Sequence, residues 1–332
     1  MSLFRFDFLA DEPTLPHEQK QEPTRKSPTM TEGRKIPLKK FVFCDDPCWL
    51  ERANQAAALD YDILQFGEHH LGIVPLKKCR NLQGKFHDSF QGAESQRTDI
   101  VPGIYEGGLK VWECSIDLCN FLVKHSDLLM PKFCLELGCG QALPTCLILR
   151  EAAKNNISSV VLVTDYNDFV INGVTASNIV LNSRADDGTF PTSFISKHAI
   201  LGHGDWMDMS RQLLASNHGI SSLPPDGRFD LILAAETTYT AESARDTAIL
   251  LARHLVPITG VGLVATKRYY FGVGGGSDAF REASRKERTI IDGIEYMLQI
   301  ENVQDFEDGT SNIRDLLKVL LRPTSIIQTI DH

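Results

Sequence analysis

The 332-residue chain is long enough for one large α/β domain with an extension, and its 42% hydrophobic content is that of a globular protein. No apolar run approaches the roughly 20 residues that cross a bilayer. The N-terminus, MSLFRFDFLADEPT, carries acids inside its apolar stretch and has no small-residue cleavage site, so neither a membrane partner nor a secretory signal is expected. A net charge of −9 argues against a broad basic nucleic-acid surface and suits either a basic polypeptide substrate or plain solubility.

Residues 1–40 are rich in Pro, Lys, Glu, Gln and Thr without periodicity, which predicts a disordered N-terminal segment. Its basic pairs Arg25-Lys26, Arg34-Lys35 and Lys39-Lys40 fit a solvated linker better than a nuclear import signal. Residues 41–100 read as an N-terminal extension packed on the core, with a helix over 50–59 and short strands over 62–66 and 72–76. Cys44 and Cys48, with His69 and His70 downstream, match no zinc spacing, so no metal is expected. Cys114, Cys119, Cys134, Cys139 and Cys146 fall in or beside predicted core elements as small buried hydrophobes, the usage of an intracellular protein.

From 101 to 332 strand and helix patterns alternate, which predicts one α/β domain with a mostly parallel sheet and helices on both faces. Helices are expected over 112–124, 143–155, 168–182, 241–255 and 277–291. Strands are expected over 133–137, 159–165, 193–200, 229–235, 261–267, 295–303 and 314–321.

The most informative stretch is FCLELGCGQA, residues 133–142. A buried strand delivers Glu136 and a tight glycine turn to the carboxyl edge of a parallel sheet, and a helix starts at Leu143-Pro144, where proline's missing N–H costs nothing. Gly138 and Gly140 supply backbone freedom and room for cofactor atoms, although a G-x-G turn alone also fits a structural βα connection. The next strand ends at Thr164-Asp165-Tyr166, and an acid there is placed to accept hydrogen bonds from ribose hydroxyls. A nicotinamide fingerprint would want a glycine where Leu143 stands. The better match is the E/D-x-G-x-G-x-G loop of the S-adenosylmethionine-dependent methyltransferases, with Ala142 in place of the last glycine.

Four further segments fall at strand ends or just before the first sheet strand. GIYEGGLKVWEC allows a close turn at Gly107-Gly108 and puts Trp112 and Glu113 where a helix start would cover the cofactor's methionine end, unless Trp112 is only core. Gly204-Asp205-Trp206 follows the third strand, with Asp205 an acceptor for an adenine amine and Trp206 an aromatic neighbour for its ring. AETTY brings Glu236 and Tyr239 to the end of the fourth strand, above the reacting methyl. YYFGVGGG follows the fifth with glycines at 272 and 274–276, a loop able to approach a substrate backbone or to act as a lid.

YEGGLKVWEC, LELGCG, TDY, HGDW, AETTY and YYFGVGGG occur in this order, and together they resemble the protein-histidine N-methyltransferases of the seven-β-strand class over about Pro102 to Arg322. The resemblance implies a Rossmann-like seven-stranded sheet with a reversed last strand, S-adenosyl-L-methionine as donor (product S-adenosyl-L-homocysteine), and methylation of one histidine in a large-subunit ribosomal protein. It also implies residence in cytoplasm and nucleus; the chain is expected to work as a monomer, with no direct nucleic-acid contact. It carries cofactor binding onto Val111, Trp112, Glu113, Cys114 and Ser115, onto Gly138, onto Thr164, Asp165 and Tyr166, onto Gly204, Asp205 and Trp206, and onto Ala235. Glu136 and Gly140 join these from the glycine loop itself, and Phe271, Gly272, Gly274, Gly275 and Gly276 are expected to meet the substrate. Departures are Glu136 where Asp is common, Ala142 for Gly, and Ala235 where Ser is usual.

Methyl transfer from a sulfonium is an in-line displacement, so the residues must hold nucleophile and methyl in line and exclude water. A neutral imidazole needs no strong base; it needs an acceptor on its other ring nitrogen, and Glu236 or Tyr239 is expected to supply it. Two rivals stay open. Glu236-Thr-Thr-Tyr239 also resembles the acid-x-x-Tyr motif of protein-lysine methyltransferases of the same fold, and Ala142 with Ala235 would suit a non-catalytic S-adenosylmethionine-binding ribosome-assembly factor.

Overall fold

A computed structural model describes residues 39–44, 50, 51, 54, 55, 58, 60–75, 106–184, 192–215, 219–307, 309 and 313–327. The expected disordered segment, apart from Lys39 and Lys40, and most of the helix over 50–59 lie outside them.

Among the described residues nine strands form one sheet. In chain order they are β1 (Val42–Phe43), β4 (Phe133–Leu137), β5 (Val160–Asp165), β6 (Ala199–His203), β7 (Leu231–Ala235), β8 (Val261–Lys267), β9 (Arg288–Ile291), β10 (Ile294–Phe306) and β11 (Arg314–Pro323). Strands β2 (Asp62–Phe66) and β3 (His69–Ile73) make a separate hairpin. The order across the sheet is β1-β6-β5-β4-β7-β8-β11-β10-β9. Strands β6, β5, β4, β7 and β8 run parallel, and β11 lies antiparallel between β8 and β10. The seven-strand sheet with a reversed last strand is therefore present, widened by β1 at one edge and β9 at the other.

The parallel strands are apolar throughout because both faces are covered. Side chains alternate: Cys134, Val161, Val163, Leu231 and Leu233 enter one core, and Leu135, Leu137, Val160, Leu162, Ile232 and Ala234 enter the other. Helices α1 (Glu113–Lys124), α2 (Leu143–Asn155), α3 (Asp168–Val170) and α4 (Ala176–Asn182) supply the first core, with Leu118, Leu122, Leu143 and Leu147 fully buried. A π-helical turn, Ile171–Thr175, joins α3 to α4. Beyond α5 (Thr192–His198), α6 (Trp206–Leu213), α7 (Ala241–His254) and α8 (Ser277–Lys286) supply the second core through Leu213, Leu251 and Phe280. Cutting any of these leucines back to alanine would cost about 2–5 kcal/mol. A short helix, α9 (Thr324–Ile327), follows β11.

Three expectations need correction. The strand over 193–200 is instead α5 followed by β6: Phe194 and His198, four residues apart, stack at 4.2 Å, a contact that helical spacing permits, while Ile195 is buried. The helix over 277–291 stops at Lys286, because Thr289-Ile290-Ile291 pairs with β10 through a turn at Asp292 (φ 51°) and Gly293 (φ 79°). The strand placed over 72–76 is centred earlier, at β3, where Phe66 and His69 face each other across a Gly67-Glu68 turn.

Candidate functional site

The chain runs from β4 outward through β5 to β6, then returns to the other side of β4 for β7 and β8. The carboxyl ends of β4 and β7 flank this reversal, the place where open α/β sheets bind ligands. Every predicted cofactor residue but those on 111–115 lies at the carboxyl end of β4, β5, β6 or β7 or in the residues just beyond it.

The glycine turn is fixed from several sides. Cys139 N donates to the Thr164 carbonyl at 2.8 Å, and the Thr164 hydroxyl donates to the Glu136 carbonyl at 2.9 Å. Thr164, wholly buried, thus holds the turn. Gly138 has φ 61°, and a Cβ there would stand 3.2 Å from Thr237 and 3.4 Å from the Trp206 indole. Ala142 takes the left-handed conformation at φ 55°, which costs an alanine about 1–2 kcal/mol that glycine would avoid. The Glu136 carboxylate turns back to the start of α2, accepting from both Thr145 N at 3.0 Å and the Thr145 hydroxyl. It satisfies a helix-start N–H and does not reach into the cleft. Burial raises its pKa to about 7, with the nearby Asp165 adding to the rise against the two Thr145 bonds.

Asp165 is 4% exposed. Its Oδ2 accepts from Gly140 N and its Oδ1 from Asn167 N, each at 3.1 Å. Burial raises its pKa to about 6. The Tyr166 N–H also bonds this carboxylate, which leaves about one of its four lone-pair sites for a ligand hydroxyl. Beside it, Tyr166 carries the Lys39 ammonium over its ring at 5.3 Å. Lys39 also donates to the Tyr166 carbonyl at 3.1 Å and pairs with Asp168 at 3.7 Å.

At the end of β6, Gly204 has φ 126°, and a Cβ there would strike the Lys40 carbonyl and Phe41. Asp205 N donates to the Lys39 carbonyl at 3.0 Å, and Asp205 Oδ1 caps α6 by accepting from Asp208 N at 2.8 Å. The Trp206 indole N–H is buried without a hydrogen-bond partner. Residues 39–43 are thus built into this corner: β1 pairs with β6, and Phe41 N donates to Asp208 at 2.8 Å.

The segment before α1 forms the opposite wall. Gly108 lies against Gly140 and Asp165, and the Trp112 indole N–H donates to the Gly107 carbonyl at 2.9 Å. Val111 and Ser115 are half-buried beside the N-terminus of α1, and Cys114 is buried with its thiol toward Glu236. Glu113 pairs with Lys267 at 3.8 Å, and Lys267 stands 5.3 Å from the Trp112 ring.

Beyond the end of β7 the two acid-motif residues part. After half-buried Ala235, Glu236 has φ 59° and a side chain 8% exposed. Its Oε2 accepts from the Tyr270 hydroxyl, and Lys267 lies 3.8 Å from its Oε1. Tyr239 turns the other way and donates to Glu106. The expected substrate loop also divides. Gly275 and Gly276 pack on the backbones of 238–239 and 267–268. Phe271, 83% exposed, with Gly272 and Gly274 lines an open groove of about 760 Å³ with Tyr269, Val273, Asp278 and Glu282. Both feet of the loop are pinned to buried Asp315, through Arg268 at 2.6 Å and Ser277 at 2.5 Å.

Four residues that sequence reasoning did not select belong here: Lys39, Glu106, Lys267 and Tyr270. A charge ending the apolar strand VGLVATK is a readable sign for Lys267, and Tyr270 stands inside a quoted motif; Lys39 carried no such sign.

No protein-family model matches the chain. It is similar to a Dictyostelium discoideum protein named histidine protein methyltransferase 1 homolog, 35% identical over 223 residues that cover 67% of this chain and 60% of the relative. A Bos taurus protein of the same name is 32% identical over 211 residues, 60% of this chain and 53% of the relative. The chain thus spans between about half and 60% of the length of the curated relatives it matches. A solved O-methyltransferase from Bacillus cereus in complex with SAH covers 71% of this chain and 90% of its own at 12% identity and a TM-score of 0.42, too low to bear on the chemistry.

Proposed function

We propose that this chain is a protein-histidine N-methyltransferase that takes its methyl group from S-adenosyl-L-methionine. The observation that supports it best is one sheet edge holding Gly138 in a left-handed turn against Thr237 and Trp206, a buried Asp165, the unpartnered Trp206 indole N–H and the Glu236 carboxylate. It does so in a chain 35% identical to a protein named for that activity.

The residues fit the donor. Asp165 would take the ribose hydroxyls, the Gly138 turn would admit the chain of the methionine, and Asp205 and Trp206 would face the adenine, with Trp112 to Ser115 closing the methionine end. The donor supplies a methyl on a sulfonium. The chain's own residues orient the nucleophile, exclude water and hold one ring proton. Imidazole suits so small a demand: at pH 7 it is mostly neutral, whereas a lysine must give up roughly 4.6 kcal/mol to become a free amine.

The resemblance carried by the motifs extends the proposal to a histidine of a basic large-subunit ribosomal protein, met in cytoplasm or nucleus, and the net charge of −9 suits such a partner. Incubation with labelled donor and ribosomal proteins, read by mass spectrometry, tests it. Label on a histidine is expected. Label on lysine would promote the lysine methyltransferase, and donor binding without transfer would promote the non-catalytic factor.

A further inference from the structure

We infer that Glu236 is the group that accepts the N–H of the target imidazole, through its free Oε1, and that Lys267 and Tyr270 are the positioning residues that hold it for that task. The inference rests on the histidine reading above and chooses between the two residues that the sequence left open.

Two independent features meet at Glu236. Its backbone has φ 59°, a left-handed conformation that a residue with a long side chain adopts only when its surroundings impose it. Its Oε1 is buried with no nitrogen or oxygen donor on it, and besides Tyr270 only the Cys114 thiol, a weak donor, bonds to the carboxylate. A buried oxygen left in that state is costly, and a ligand N–H would remove the cost. Tyr270 occupies Oε2 from one side. Lys267, at 3.8 Å, is too far to hydrogen-bond to Oε1 yet close enough to favour the ionised carboxylate.

Tyr239 is engaged elsewhere. Its hydroxyl proton goes to Glu106, whose backbone N donates to Asn167 at 3.1 Å, so the tyrosine ties the end of β7 to the segment that covers the glycine turn. Its role is closure of the cleft.

The groups facing Glu236 are few and named. Lys267 comes from β8 and Tyr270 from the loop beyond it, while Glu113 and Cys114 come from the start of α1. Burial raises the carboxyl's pKa, with Glu113 adding to the rise, and Lys267 is foremost among the groups that bring it down. Glu113 shares the same ammonium. The ammonium itself is steadied between the Trp112 and Tyr270 rings, at 5.3 and 5.9 Å. The acceptor is thus a carboxylate whose ionised form Lys267 favours most, with the Tyr270 and Cys114 bonds adding to it.

The sign of the pH effect follows. Transfer requires Glu236 ionised, so kcat/KM rises through its pKa from the acid side. Removing the Lys267 charge raises that pKa and moves the acid limb to higher pH, while the substrate's own titration stays put.

The test uses the full chain with a substrate whose methylated histidine has been mapped. Glu236→Gln should lower kcat by about 100-fold, at least tenfold more than Tyr239→Phe, with affinity for S-adenosyl-L-homocysteine unchanged by calorimetry. Lys267→Met should move the acid limb upward by about one pH unit, the scale of shift a neighbouring charge imposes, and Lys267→Arg should restore it. Carbon-13 resonance of the Glu236 carboxyl in the free chain should report the same upward shift in Lys267→Met, independently of turnover. An activity loss in Glu236→Gln of less than threefold, or an acid limb and carboxyl resonance unmoved in Lys267→Met, would overturn the inference while leaving the histidine reading intact. A wild-type chain that methylates lysine, or nothing, would remove both.

Discussion

Gly108 and Gly140 meet backbone to backbone: a Cβ built on Gly140 would stand 2.9 Å from the Gly108 carbonyl oxygen. A Cβ on Gly108 would in turn stand 2.9 Å from the Asp165 carboxylate. The segment before α1 is therefore laid directly on the glycine turn, with no side chain between them. Glycine at 140 serves this approach, and its φ of 49° adds a second demand.

Gly140→Ala should accordingly lower stability by about 1–2 kcal/mol from conformation alone, and weaken donor binding by lifting the 106–113 segment. Thermal unfolding and calorimetry would check both. The converse change, Ala142→Gly, should raise stability or leave it level, since the left-handed strain it relieves is set against the greater entropy of glycine in the unfolded chain.

Asp165→Ala is expected to weaken donor binding and also to destabilise the fold. A strand-end acid read from sequence alone looks dispensable to the core, but here it is buried and holds the Gly140 and Asn167 N–H groups. Leaving each unpartnered costs about 1–3 kcal/mol. A melting temperature equal to that of wild type would show that water replaces the carboxylate.

Phe41→Ala should cost about 3–5 kcal/mol, as for other buried aromatics, because the ring fills the space that Gly202 leaves open. Lys39→Ala should leave stability nearly unchanged and loosen donor binding by releasing the Tyr166 backbone and ring. Isothermal titration of both variants would separate a structural strap from a cofactor contact.

The sheet is legible because each parallel strand is a short apolar run between turn residues, and the candidate edge is legible because Gly138, Asp165, Gly204 and Glu236 stand where those runs end. The failures have local causes. At 193–200 the apolar residues Phe194 and Ile195 suited a strand, and only the stacking of Phe194 on His198 shows why a helical turn wins. At 288–291 a helical pattern ran on into residues that Asp292-Gly293 folds back into a hairpin. Lys39 was hidden for another reason: it ends a polar stretch, and its partners Tyr166 and Asp168 lie far along the chain. The Glu136 carboxylate lies on the expected strand, and spacing could not show that Thr145, nine residues on, takes it at the helix start.

That last pairing yields a pH prediction. Glu136 is pushed from 4.5 to about 7 by burial and Asp165 from 3.8 to about 6 by the same cause. In both, the native carboxyl keeps its proton at pH 5, where the unfolded one has lost it. Their contribution to stability is therefore full at low pH and is lost as pH rises through about 6 and then about 7. For Glu136 alone the loss is on the order of 3 kcal/mol. Carboxylates held low by their partners, such as Asp315 beside Arg268, run the opposite way, so the total curve does not isolate the effect. A variant does. Glu136→Gln keeps an oxygen for the Thr145 N–H and has nothing to ionise. Measured by denaturant unfolding, it should gain on wild type between pH 5 and pH 8, by up to about 3 kcal/mol. If wild type instead gains on the variant as pH rises, the two Thr145 bonds hold the carboxylate ionised against its burial, and Glu136 stabilises the helix start as an anion.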